Sequence, residues 1–252
     1  MKFADLDARM RAFETGGDII LPPTNFLVAR LDGRGFTRLT KELLTLERPF
    51  DARFHAAMSE TLAHLFDCGF TLRFGYSQSD EISLLFEPNG VPFERKMRKI
   101  LSILAGETSA QFSLSIGARG AFDCRLSVLP GAESARDYFV WRSLDAARNA
   151  LSAHCYWMAR ARGDAPRTAT RRFDGASQRE KRAFLSEKGL DFDALPFWQT
   201  RGFAAHFENF EKAATNLQTG EHVIANRKKL VIDRELPFGD EFARYLDAKL
   251  GI

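Results

Sequence analysis

The chain has 252 residues, of which 45% are hydrophobic and 27% charged, and a formal net charge of +3. That is the composition of an ordinary globular protein with one large domain, or one domain and an extension, and it excludes a fibrous, disordered or strongly polyionic chain. Cys68, Cys124 and Cys155 share no short spacing and no apolar run is long enough to cross a bilayer, so neither a disulfide framework, a local zinc motif nor a membrane span is indicated, and a reducing cytoplasm is the expected location.

Phe3, Leu6, Met10 and Phe13 recur at helical spacing before Gly16-Gly17, which predicts a short opening helix. After Pro22-Pro23, residues 25–31 are apolar in both alternation classes and read as a buried strand that stops at Asp32. Residues 37–46 read as helical. After Pro49 the series Phe50, Phe54, Met58, Leu62 and Leu65 marks a longer helix, ended by Gly69.

Residues 70–74 and 82–86 read as two strands, with 75–81 as the hairpin turn that carries Asp80. A helix from Phe93 to about Phe112 and one or two strands over 113–129 complete the block. Strand, helix pair, hairpin, helix, strand is the split βαβ order, so the fold class expected is α+β: a ferredoxin-like polymerase or cyclase palm, an antiparallel sheet with helices packed on one face. Such a layout does not by itself assign a function.

A long helix is predicted over 134–160, then a basic loop, a helix over 177–188, a strand or hairpin over 221–232 after a Thr219-Gly220 turn, and a last helix with Phe242, Tyr245 and Leu246. The stretch holding Arg160, Arg162, Arg167, Arg171, Arg172, Arg179, Lys181 and Arg182 fits a polyanionic partner or a solvated loop equally well. We divide the chain into a palm over 1–157 and a mixed, basic C-terminal extension over 158–252 packed on it.

Asp32 at a strand end and Asp80 on a hairpin turn are how a sheet brings two acids from distant sequence onto one divalent-metal cluster, which points to phosphoryl transfer on a nucleotide. Asp32, the Gly33 carbonyl and Asp80 make a hard-oxygen set suited to Mg²⁺. Each segment alone reads as an ordinary turn; together they favour the metal. Glu81 is a weaker candidate, because neighbours on a strand face opposite ways. Gly33 and Gly35 let the backbone approach a triphosphate closely. Lys96 and Lys99 share a predicted helix face with Arg95 and Arg98 and would either clamp phosphates or be solvated, as would Lys41. The histidines, His55, His64, His154, His206 and His222, have no ligand spacing and read as core or surface residues, and Asp123 beside Arg125 reads as structural.

These residues resemble a known family, the tRNA(His) guanylyltransferases and their bacterial and archaeal relatives, the guanylyltransferase-like 3′-to-5′ polymerases. The resemblance rests on Arg30-Leu31-Asp32-Gly33-Arg34-Gly35-Phe36, on Gly75-Tyr76-Ser77-Gln78-Ser79-Asp80-Glu81, on Phe122-Asp123-Cys124-Arg125, and on Tyr138-Phe139-Val140-Trp141-Arg142 followed by Asp145. It implies an enzyme that adds nucleotides to the 5′ end of tRNA after ATP activation of a 5′-monophosphate, with GTP or another nucleoside triphosphate as the incoming substrate. It further implies two Mg²⁺ ions on Asp32, Gly33 and Asp80, with Asp32, Asp80 and Glu81 catalytic. Nucleotide contacts would come from Asp32, Gly33, Arg34, Gly35, Phe36, Thr37, Ser79 and Asp80, phosphate contacts from Lys41, Lys96 and Lys99, RNA contacts from the basic extension, and a homotetramer would form. Eukaryotic members carry His-Ile-Asn-Asn where this chain reads Ala147-Arg148-Asn149-Ala150; the expectation is therefore a template-dependent enzyme that repairs truncated tRNA 5′ ends. The alternatives are G-1 addition to tRNA(His), a palm-type nucleotide cyclase, and a non-catalytic RNA-binding protein.

Overall fold

The protein is described over residues 2–215 and 222–251 of a computed structural model; the Thr219-Gly220 turn lies outside the described residues. The elements are α1 (Phe3–Thr15), β1 (Phe26–Gly33), α2 (Phe36–Arg38) running into a π turn (Leu39–Leu43), α3 (Ala52–Leu65), β2 (Leu72–Gln78), β3 (Glu81–Phe86), α4 (Met97–Ile116), β4 (Phe122–Leu129), α5 (Ala132–Ala161), α6 (Pro166–Arg171), α7 (Gln178–Glu187), α8 (Phe197–Thr200), β5 (Phe203–Thr215), β6 (His222–Asp233) and α9 (Asp240–Leu250). The six strands form one sheet in the order β4-β1-β3-β2-β5-β6, each pair antiparallel. The first four strands have the split βαβ order expected of a palm.

β1 is apolar in both alternation classes because both its faces are covered. Leu27, Ala29 and Leu31 pack with Met58, Leu62, Leu104 and Phe112 of α3 and α4, while Val28 faces Phe139 of α5 and Phe242 of α9. The α+β class and the antiparallel sheet are as expected, but helices cover both faces. The second layer comes from the long α5 and from α9, whose spacing identified helices without showing what they would cover.

Several boundaries differ from expectation. Gln78 still pairs with Glu81, so the turn between β2 and β3 shrinks to Ser79-Asp80, with Ser79 at φ 55°. Gly75 belongs to β2, where a Cβ would come within 2.8 Å of Leu62 Cδ1 on the helix above. α4 runs on to Ile116, so the strand expected over 113–129 begins only at Phe122. Ser113, counted in that strand, instead accepts the Gly120 N–H on its Oγ at 2.9 Å and helps turn the chain into β4. α1 is present, but none of its residues is buried. α7 opens with the capping box that Ser177 and Glu180 form.

β5 enters the sheet beside β2 through Phe203↔Ser77 and His206↔Phe74, directly after Gly202. At φ +77° Gly202 sits in left-handed backbone, and a Cβ there would lie 2.5 Å from the Ser77 carbonyl oxygen. Gly202→Ala is therefore expected to cost about 2–4 kcal/mol, from strain plus displacement of a backbone atom that cannot swing away. Urea denaturation would read this directly, and a loss below about 0.5 kcal/mol would rule out the close approach.

Candidate active site

Three strand ends converge at one edge of the sheet. Asp32, one residue before the end of β1, is registered against Glu81 of β3 and Asp123 of β4. The Ser79-Asp80 turn closes over them, tied down by the Gly33 N–H, which donates to the Asp80 carbonyl at 3.0 Å. A Cβ on Gly33 would stand 2.7 Å from Asp80 Oδ2 and 2.5 Å from Phe36 Cδ2, so only glycine lets the Asp80 carboxylate lie over the β1 backbone. Asp80 is half-buried. Burial pushes its carboxyl up to about 6, the Ser79 hydroxyl on Oδ1 opposes this, and the charges of Asp32 and Glu81 add to the rise.

Glu81, expected as a third catalytic acid, is held differently. Arg142 of α5 grips it with two bonds, Nε to Oε1 at 2.7 Å and an Nη to Oε2 at 2.9 Å; Arg30 lies 3.7 Å away. Burial raises the Glu81 carboxyl, and the charges of Arg142 and Arg30 oppose the rise. The side chain shares the α5-facing side of β3 with Ser83, whose hydroxyl meets that of Tyr138 at 3.2 Å. Arg142 also reaches Asp145 at 3.2 Å. Asp32 in turn has Arg125 at 3.7 Å, and Arg125 holds Asp123 at 3.3 Å, so the pair read as structural borders the site.

Two cavities meet at the Ser79-Asp80 turn. One, of about 380 Å³, is polar and is lined by Arg30, Asp32, Tyr76, Asp80, Glu81, Arg142 and Asn149. The other, of about 190 Å³, opens on the α2–α3 side and is lined by Phe36, Thr37, Lys41, Asp51, His55, Trp198, Ser79 and Asp80 among others. Phe36 is not free to stack on a base: it is 4% exposed and packs edge-on and tilted against Phe54, Phe112 and Phe122. Its ring edge forms part of the cavity wall. Arg34 is exposed, and Gly35, at φ 72°, turns the chain into α2. Lys41 holds its ammonium over the rings of Tyr156 and Trp157 at 5.6 and 5.7 Å.

The opposite wall of this cavity was not read from the sequence. His55 stacks on Trp198 at a centroid distance of 4.4 Å, and its Nε2 accepts from Arg234 Nε at 3.0 Å. Burial first and the Arg234 charge second push His55 down to about 4, so it is a neutral acceptor. Asp51 caps α3, accepting from the backbone of Arg53 and Glu47. The Arg53 guanidinium is the main cause that brings its carboxyl down to about 2. A Trp 143 positions from its histidine carries no local signal.

Lys96 and Lys99 are not brought to the acids within one chain. Lys96 bridges to Ile20 and pairs with Glu94 at 2.7 Å. The turn before it holds Phe93, which packs on Phe70, which packs on Phe86 at the far end of β3. From Glu81 to Phe86 that strand spans about 17 Å. Arg95 serves the fold, donating to the carbonyls of Leu21 and Asn25, and Arg98 pairs with Asp18 at 2.6 Å. The expected cationic helix face is therefore largely engaged in local contacts.

A family model described as Thg1, tRNAHis guanylyltransferase, matches residues 7–130. The chain is 29% identical over 212 residues to the tRNA(His) guanylyltransferase of Neurospora crassa, covering 77% of this chain and 70% of that protein. It is 24% identical over 232 residues to tRNA(His) guanylyltransferase 1 of Arabidopsis thaliana, covering 88% of this chain and spanning only 40% of the length of that relative. Among solved structures, a bacterial tRNA(His) guanylyltransferase (Thg1)-like protein in complex with GTP superposes with a TM-score of 0.76 at 26% identity, covering 98% of this chain and 100% of the other. A complex of such a protein with ATP gives 0.74 at 26% identity, with the same coverage.

Proposed function

Since the chain belongs to the tRNAHis guanylyltransferase family, we propose that it is a nucleotidyltransferase that adds nucleotides to the 5′ end of a tRNA in the 3′-to-5′ direction. The observation that carries this reading is the Asp80 carboxylate over Gly33, in one polar cavity with Asp32 and at a Ser79-Asp80 turn shared with a second cavity. GTP and ATP are the proposed substrates, in keeping with the ligands of the similar bacterial proteins.

Asp32, the Gly33 carbonyl and Asp80 fit Mg²⁺: every donor is a hard oxygen, the Asp32 charge raises the Asp80 carboxyl, and the place a Cβ on Gly33 would take is held by the Asp80 carboxylate and the Phe36 ring. Bound there, two such ions would neutralise phosphate charge and lower the pKa of the attacking hydroxyl. The chain's own residues orient the reactants. Thr37 and Lys41 stand at the cavity mouth, where a triphosphate would meet a cation and a hydroxyl, and the neutral His55–Trp198 pair forms a flat apolar wall beside them. The Arg142–Glu81 clamp fixes the first residue of β3 and, through it, the Asp80 turn.

Repair of truncated 5′ ends, rather than G-1 addition alone, is the finer proposal. It is supported by the departure at residues 147–150, where Asn149 is occupied by a bond to Asp145 Oδ2 at 3.1 Å and Arg148 is paired to the same carboxylate. In the basic segment beyond residue 157, Arg167 and Arg171 are exposed and Arg172 is tied to Asp164 at 2.6 Å; we assign the exposed pair to RNA. A cytoplasmic homotetramer is the proposed working form.

The test is extension of two 5′-triphosphorylated tRNAs, one full length and one lacking its first nucleotide, with Mg²⁺ and nucleoside triphosphates. Growth confined to the truncated tRNA, with the base set by the opposite strand, is the expected result. Addition of a single G to full-length tRNA(His) alone would replace repair by G-1 addition. No extension of either, even after ATP activation of a 5′-monophosphate, would overturn the proposal, and cyclic product from nucleotide alone would identify a cyclase.

A further inference from the structure

The outer face of the α3–α4 layer carries a second cluster of metal-ligating groups, remote from the acids. His64, in the last turn of α3, Cys68, just past its end, and Glu107, in the middle of α4, each offer one donor atom, and these atoms lie within 4.8 Å of one another. His64 Nε2 and Glu107 Oε2 are already 2.8 Å apart. All three residues are half-buried, so the cluster is reachable from solvent yet held by the packing of two helices. Asp51, the cap of α3 at the nucleotide cavity, lies 13 positions before His64, about 20 Å along the helix axis.

We propose that His64, Cys68 and Glu107 bind a borderline divalent metal of the Zn²⁺ class, which ties the end of α3 to the middle of α4 with solvent in the fourth position. One nitrogen, one sulfur and one carboxylate oxygen form a donor set that selects against Mg²⁺, which demands six oxygens, and suits Zn²⁺ or Co²⁺. Tetrahedral Zn²⁺ with its usual bond lengths places its ligand atoms about 3.5 Å apart. From the spacing seen, side-chain shifts of roughly 1 Å reach that, the His64–Glu107 pair opening and the widest pair closing. No sequence spacing announces the site, because its third ligand comes from a separate helix and the sheet strands β2 and β3 intervene in the chain.

The experiment uses the full chain in excess Mg²⁺, which occupies the oxygen site, and Co²⁺ as the spectroscopic probe, with Zn²⁺ followed by calorimetry and melting. Expected are one equivalent bound per chain, a thiolate-to-cobalt charge-transfer band with intense tetrahedral d–d absorption, displacement of Co²⁺ by Zn²⁺, and a Zn²⁺-dependent rise in Tm. Cys68→Ser should remove the band and weaken Zn²⁺ by more than about 100-fold, beyond the 10–100-fold typical of losing an outer partner. Glu107→Gln and His64→Gln, at half-exposed positions, should weaken Zn²⁺ in the same direction without touching the thiol. Cys124→Ser and Asp80→Asn should keep both band and affinity. A band absent from the wild type or surviving Cys68→Ser, or a Zn²⁺-dependent rise in Tm that persists undiminished in all three ligand variants, would leave a plain histidine–glutamate hydrogen bond beside a thiol and overturn the proposal.

Discussion

Asp80→Asn is expected to abolish nucleotidyl transfer and, in the absence of Mg²⁺, to make the protein more stable at neutral pH. The folded chain raises this carboxyl from 3.8 to about 6, so between those values the folded state holds a proton that the unfolded state has lost. Stability contributed by the neutral form is complete below pH 3.8, falls as pH rises through that window, and is gone above about 6. At about 1.36 kcal/mol per unit the full penalty would be near 3 kcal/mol; partial solvent access reduces it to about 1–3 kcal/mol. Asn carries none of this cost. The variant should therefore melt several degrees higher in EDTA at pH 7, the gap should close towards pH 4, and Mg²⁺ should narrow it by stabilising the wild type alone. Transfer should fall by at least about 10³, since the variant has lost a charged donor at the reacting phosphates. Equal melting temperatures across this pH range, or undiminished transfer, would refute the burial of an ionised Asp80 or its role.

The second large effect is on the fold around the site. In the Arg142–Glu81 pair the side chains are 11% and 16% exposed. Arg142→Ala leaves a buried carboxylate with only Arg30 at 3.7 Å, and the expected cost is about 3–5 kcal/mol. For a chain of this size that is a fall in Tm of roughly 10 °C. Glu81→Gln combined with Arg142→Met should recover most of it, because the cost lies in the unpaired charge and not in the loss of attraction. Glu81→Gln alone separates the two readings of this residue: a large loss of transfer at nearly unchanged Tm would place Glu81 in the chemistry. Parallel losses of stability and transfer would make it the clamp that positions Asp80.

What was legible in the sequence was local. β1 shows its burial in the doubly apolar run 26–31, and Asp32 and Asp80 announce themselves at a strand end and a hairpin, because alternation and turn chemistry act over a few residues. Pairings across long separations had no such signal. Glu81 and Arg142, 61 positions apart, were both singled out, the first as a catalyst and the second within a motif, but nothing in their spacing joined them. His55 reads as a core or surface residue because its partner Trp198 lies in a segment of weak pattern. Lys96 was placed on a helix because Phe93, Glu94 and Arg95, all at positive φ, contain no glycine to mark the turn they make. Helical spacing in α5 and α9 showed that one side of each helix would be buried without saying against which layer.

β5 carries a consequence of its own. Residues 204–206 are bonded on both sides, to β2 and to β6, but from Phe207 to Thr215 the strand has, among the described residues, only β6 as its neighbour. A two-stranded ribbon without a third strand is marginal in water. One continuous strand therefore spans two regimes of opening: its first turns share the global unfolding of the palm, and its outer part breathes by local fraying. Phe207, whose ring meets Phe66 edge-on at 5.6 Å, marks where the ribbon leaves the body of the protein.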